Sequence, residues 1–152
     1  MNYLPLLLFQ ISKSPVAIQF GYYVKDPRAY RVVEYIYKEI EKYGYYMVEE
    51  VNDYKCATCL IELEKYLIMR KYSLARHLAE YGDNYRRCEK SRDLYGQYDE
   101  IEKILKEIEK YHHCMFGNND MCAAHLIQLY NYVEECKYNY EAILESAGVL
   151  EN

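Results

Sequence analysis

Prolines punctuate only the start of this chain. All three, Pro5, Pro15 and Pro27, fall within the first 27 residues, and residues 28–152 contain none. A proline inside a helix removes a backbone donor and clashes with the preceding turn, so its absence leaves the long remainder open to continuous helix. The glycines of that remainder stand mostly where the helical pattern stops: Gly44, Gly82, Gly117 and Gly148. The chain therefore divides into an extended or β-like segment, residues 1–25, and a helical part, 26–148, within one domain spanning 1–152.

In the first segment Val16, Ile18, Phe20, Tyr22 and Val24 alternate with Ala17, Gln19, Gly21 and Tyr23, the period-two pattern of a strand. Leu6 to Ile11 is a short apolar run, and Lys13-Ser14-Pro15 can turn the chain between them, which predicts a hairpin. Asp26 then caps a helix with Pro27 at its first position and Tyr30, Val33, Tyr37 and Ile40 along its apolar stripe. Tyr45 to Val51 reads as a third strand or as the frayed entry to the next helix. Asn52 or Asp53 caps a second helix running to Tyr81, with Leu60, Leu63, Leu67, Leu74, Leu78 and Tyr81 on one face.

The third helix is predicted from about Asn84 to His113, weakened or kinked at Gly96. Ile101, Ile104, Ile108, Tyr111 and Met115 step by three and four, with Glu102/Lys106 and Lys103/Glu107 as flanking ion pairs. Phe116-Gly117-Asn118-Asn119 breaks the chain, and Asp120 is the expected cap of the last helix. There Cys122, Leu126, Leu129, Val133, Cys136, Tyr140 and Ile143 form a seam. Short connections between long helices imply antiparallel neighbours, hence a mainly α fold: a four-helix, up-and-down-like bundle with an N-terminal extension.

Twenty-one of the 152 residues are tyrosine and none is tryptophan. Tyrosine joins an apolar ring to a polar tip, so it covers a core edge or builds an adhesive surface equally well. The net charge of −5 argues against wholesale coating of nucleic acid. No run approaches the 18 apolar residues of a membrane span, and the start lacks the basic residues of a secretory signal, its first cation being Lys13. A soluble protein of the cytoplasm or of a particle assembled there is the expectation.

Antiparallel helices bring Cys56, Cys59, Cys114 and Cys122 to one end, with His112 and His113. Three readings fit: disulfides, buried free thiols, or a zinc site using the Cys56-Ala-Thr-Cys59 pair. Six cysteines suit an intracellular protein of a hyperthermophile, as does the Lys- and Glu-rich composition.

The other end is basic. Arg70, Lys71, Arg76, Arg86, Arg87, Lys90 and Arg92 face only Glu80, Asp83 and Glu89, with Tyr72, Tyr81, Tyr85, Tyr95 and Tyr98 interleaved. Such a corner is either a solvated helix end or a contact for nucleic acid, phosphates pairing with arginine and bases stacking on tyrosine. Arg70 and His77, seven residues apart, resemble the loosest form of the motif of HEPN-domain ribonucleases. In that family imidazole and guanidinium pair across a dimer to cleave RNA. Lys71 departs from the small polar residue usual after the arginine. His125 reads as a packed or surface histidine, and no Gly-rich phosphate loop, Ser-His-Asp order or His-Glu-x-x-His appears.

The whole chain, Trp-free, dense in Tyr, Ile, Glu and Lys, and rich in cysteine, resembles small helical orphan proteins of viruses infecting hyperthermophilic archaea. One such group includes a four-helix-bundle virion protein and an inhibitor of the host RNA polymerase. The resemblance implies a non-enzymatic module that docks tyrosine-rich helix surfaces on a protein partner or on further copies of itself. Nucleic-acid binding through the 70–92 corner and a HEPN-like ribonuclease are the alternatives.

Overall fold

The computed structural model describes residues 28–81 and 89–148, with side chains described from residue 92 in the second stretch. The expected hairpin, the Asp26-Pro27 cap, Arg86, Arg87, Cys88 and the side chain of Lys90 lie outside the described residues.

The protein is mainly helical, and no strand occurs among the described residues. Four long or medium helices carry the fold: α1 (Arg28–Glu41), α2 (Asp53–Ala79), α3 (Glu89–Glu109) and α5 (Cys122–Ser146). A short α4 (His112–Met115) follows α3. The α1 stripe is as the spacing predicts: Tyr30, Val33, Tyr37 and Ile40 are buried, joined by Val32 and Ile36. On α2, Leu60, Leu63, Leu67 and Leu74 are buried, while Leu78 and Tyr81 are only half-buried. Asn52 caps α2, its side-chain oxygen accepting from the Lys55 amide at 3.0 Å.

Packing joins α1 to α3 and α5, and α2 to α3, α4 and α5, around one apolar cluster running from Val32 to Val133. Ile36, Ile40, Leu60, Leu67, Ile101, Ile104, Ile108, Leu126 and Leu129 are fully enclosed in it. Each such side chain stabilises the fold by about 1.5–3 kcal/mol relative to remaining in water.

Four local expectations are corrected. Tyr45 to Val51 is no strand: Tyr45–Glu49 winds into one π turn, with the Glu50 amide donating to the Tyr45 carbonyl at 2.9 Å. Only Met47 of that turn is buried, so a wide turn that seats one side chain suits the link better than an alternating strand. The third helix does not run unbroken to His113. It ends at Glu109, and α4 restarts at His112. Helix α3 passes through Gly96, which is buried.

The expected i,i+4 ion pairs also re-partner. Glu102 reaches Lys71 on α2 at 3.4 Å, Lys103 takes Asp99 at 3.3 Å, and Glu107 takes Lys110 at 2.7 Å. A neighbouring helix or a nearer cation offers better geometry than the lone exposed pair, which is worth only tenths of a kcal/mol.

Asp120, finally, does not cap α5. Its carboxylate accepts from the Asn118 side-chain amide at 2.9 Å, and its amide donates to the Asn118 side-chain oxygen at 3.1 Å. The capping position is Met121, held left-handed at φ 68° without a side-chain cap. Asp53 of α2 performs the task from outside, its Oδ1 accepting from the Ala123 amide at 2.8 Å.

Candidate functional site

Tyrosine placement decides what this surface is made of. Tyr30, Tyr37, Tyr111 and Tyr130 are buried, and Tyr43, Tyr46, Tyr66, Tyr98, Tyr132 and Tyr140 pack half-buried against the core. Several of their hydroxyls serve buried or half-buried carboxylates. Between α1 and α5, Tyr37 donates to Glu134 at 2.9 Å, Tyr130 donates to Tyr37 at 2.7 Å, and Tyr30 donates to Glu141 at 2.8 Å. The Tyr37 and Tyr130 rings stack at 4.8 Å, and the Lys137 ammonium lies 5.0 Å from the Tyr37 ring centre. Burial above all, then these hydrogen bonds and carboxylates, drives the Tyr30 and Tyr37 hydroxyls far above the usual phenol range. These phenols are locked donors, and most of the described tyrosines close the interior instead of forming a docking face.

Sequence reasoning missed a polar stripe on α3. Asp93, Gln97 and Glu100 sit at i, i+4 and i+7, hence on one face, and all three are buried. Arg28 pairs with Asp93 at 2.9 Å, Gln97 donates to Asp93 at 3.2 Å, and Arg70 donates to Gln97 at 3.2 Å. Tyr140 donates to Glu100 at 3.2 Å, and desolvation raises the Glu100 carboxyl above its usual range, Lys103 opposing. The stripe ties α1, α2 and α5 to α3.

The same geometry sorts the basic corner. Arg70 is half-buried, its guanidinium 6.0 Å from the Tyr66 ring centre, and its Nε meets no acceptor among the described residues. Lys71 is engaged by Glu102 and lies 5.7 Å from the Tyr98 ring centre. Arg92 is half-buried. Arg76 and His77 are exposed, lining a depression with Met69, Tyr72, Ser73 and Glu80. Arg70 instead reaches Gln97 on α3.

At the other end no disulfide forms among the five described cysteines, and no three His, Cys, Asp or Glu of the described residues converge on a point that could hold a metal. Cys56, Cys59, Cys114 and Cys122 are all buried. Cys56 Sγ donates to the Tyr46 carbonyl at 3.6 Å. Burial pushes the Cys56 thiol up to about 12, with Asp53 and Cys122 adding to the effect, and the Cys122 thiol up to about 11, with Cys114 and Asp53 adding. Such thiols carry almost no thiolate at neutral pH and pack as small apolar groups.

Beside them His125 stacks on Tyr111 at 4.7 Å and meets His113 edge-on at 6.0 Å. Its Nδ1 is buried without an acceptor or donor among the described residues, and burial followed by His113 lowers its pKa. His112 binds the Glu64 carboxylate.

The outer face of α2 is open to solvent, as are Val51, Phe116 and Met121 elsewhere. Tyr54 is 69% exposed, Met69 73% and Tyr72 72%, with Ile68 exposed between them. Ile68, Met69 and Tyr72 lie within about one turn of each other, and large apolar groups grouped on one rigid face mark an interaction surface more readily than isolated ones do. No described helix is long and apolar enough to cross a membrane. Comparison with protein-family models, curated proteins and solved structures finds no match to this chain.

Proposed function

We propose that this protein is a non-enzymatic interaction module: a four-helix, up-and-down-like bundle that presents the outer face of α2 to a protein partner or to further copies of itself. The carrying observation is the exposure of Ile68, Met69 and Tyr72 beside the exposed Arg76 and His77. An aromatic anchor, flexible methionine and an arginine are the side chains that dominate interface energetics. The locked phenols and high-pKa thiols elsewhere favour a structural scaffold over a reaction centre. A role in the cytoplasm of a host cell or in a virion, with archaeal viruses as the setting, is the part of this proposal that rests on composition.

Met69→Glu/Tyr72→Glu is the deciding variant. It should retain the helical circular dichroism of the parent chain and lose both self-association and capture of any protein retained by the parent. Unchanged association and capture would overturn the reading. Salt-sensitive binding of single-stranded nucleic acid, lost in Tyr72→Ala and Arg76→Ala, would favour nucleic acid as the partner instead. Ribonuclease activity abolished by His77→Ala would overturn the non-enzymatic assignment.

A further inference from the structure

The bundle receives its N-terminal segment at a defined place. Arg28 opens α1 and pairs with Asp93 of α3 at 2.9 Å. Gln97 donates to Asp93 at 3.2 Å, and Arg70 of α2 donates to Gln97 at 3.2 Å. Three consecutive side-chain contacts therefore lead from the point where residues 1–27 join the fold to the turn of α2 that carries Ile68, Met69 and Tyr72. Val51 and Met121, also exposed, belong to the other end, where Asp53 at the start of α2 accepts from the Ala123 amide at the start of α5. That end lies about 24 Å from Met69 along the helix at 1.5 Å per residue.

Residues 1–27 lie outside the described residues, and the start of their sequence is apolar. Leu4, Leu6, Leu7, Leu8, Phe9 and Ile11 stand within residues 4–11, and no acidic residue precedes Asp26. Each large apolar side chain left in water forgoes about 1.5–3 kcal/mol that burial would supply, so the run favours an apolar surface within its reach. Residues 12–27 tether it to Arg28 and, at about 3.3 Å per residue, span up to about 50 Å, more than the length of α2.

We propose that residues 4–11 of the same chain cover Ile68, Met69 and Tyr72, so that the N-terminal segment holds the α2 face until a protein partner displaces it, a regulation that rests on the interaction reading of α2. Tethering selects this occupant. A short flexible tether holds the run at an effective concentration of about a millimolar, far above that of a second copy or a foreign helix in dilute solution. A contact with an intrinsic dissociation constant of about 0.1 mM is then closed about ten times as often as it is open. A partner for the same face meets the open form only, so its apparent affinity falls about tenfold.

Hydroxyl-radical footprinting of the full-length chain, read by peptide mass spectrometry, is the test. Met121, 59% exposed and at the other end, is the internal reference for Met69. In the parent chain Met69 should label about tenfold more slowly than Met121, and equally so at low and high protein concentration, because the cover is intramolecular. Leu6→Asp/Leu8→Asp should bring Met69 to the Met121 rate with the helical circular dichroism unchanged. Met69→Glu/Tyr72→Glu should reciprocally speed labelling of Phe9, which decides the matter if the first variant loses helix. Met69 labelling as fast as Met121 in the parent, protection that fades on dilution, or Phe9 labelling unmoved by Met69→Glu/Tyr72→Glu would overturn the cover. Unprotected Met69 in a parent that still captures a protein through Met69 and Tyr72 would remove the cover and leave the interaction reading. Protected Met69 in a chain that neither self-associates nor captures a protein once Leu6→Asp/Leu8→Asp frees the face would remove that reading and leave the cover.

Discussion

Single residues at the turn between α4 and α5 carry more of the fold than their exposure suggests. A Cβ on Gly117 would stand 2.5 Å from the His113 carbonyl oxygen, closer than real contacts allow, and the obstacle is backbone that cannot swing aside. Gly117→Ala should therefore destabilise the protein by about 1–3 kcal/mol, in the range of strained backbone substitutions. Thermal unfolding followed at 222 nm measures this, and an unchanged midpoint would mean the turn relaxes freely. Asp53 is the second such residue, since it starts α2 and caps α5 through Ala123. Asp53→Ala should cost about 1 kcal/mol, the usual loss for a cap, with Asp53→Asn retaining most of it. Equal loss in both variants would locate the effect in charge rather than in the hydrogen bond.

At the scale of elements, α3 is the helix whose inward face depends on its neighbours. Its buried Glu100 has a raised pKa, so the sign of its pH effect is set. A carboxyl whose folded pKa lies above the unfolded value of about 4.3 binds its proton more tightly when folded. Its contribution is fully present below that value and is lost as pH rises through the folded pKa. Glu100→Gln, which keeps the shape of the protonated acid, should flatten the decline of stability with pH from about 4.3 upward. Urea titrations of both chains across pH 4 to 8 read the difference, and parallel curves would contradict the assignment.

His125 acts in the opposite sense on α5. Its folded pKa is lowered from the usual 6.5, so the stability it supports is present above 6.5 and lost as pH falls through the folded value. It faces Tyr111 and His113 from the α3–α4 junction and Asp53 from α2. The α2–α5 end should loosen first in acid, and amide exchange at Cys122 to Leu126 should rise there before it rises in α1.

For the whole molecule, the cysteines report on intactness. Cys56, Cys59 and Cys122 are buried with raised pKa values, so native protein should react with an alkylating reagent at these thiols only through opening of the fold. Mass spectrometry of native and urea-unfolded protein after brief alkylation distinguishes this from a surface role. Prompt native labelling of Cys56 would contradict the packing described. The core joins α1, α2, α3 and α5 in one cluster, so these thiols should become reactive together.

The sequence determined where helices lie. Absence of proline after residue 27, and apolar steps of three and four, fix α1, α2 and α5 to within a few residues, because both signals act within a single turn of backbone. It also marked Leu60, Leu63 and Leu67, or Ile101, Ile104 and Ile108, as core, since their apolarity has no other use in water. The turn at Phe116-Gly117-Asn118-Asn119 was legible for the same local reason.

Tertiary structure alone decided which polar groups go inside. Asp93, Gln97, Glu100 and Glu134 look like solvated helix positions, and only the hydroxyls and cations of other helices make their burial tolerable: Tyr37, Tyr140, Arg28 and Arg70. Those partners are up to 97 positions away in the chain, beyond the reach of any local pattern. The same holds for the outer face of α2. Ile68, Met69 and Tyr72 stand in the sequence beside the core leucines, and they become a surface only once the fold has claimed the opposite side of the helix and left this one in water.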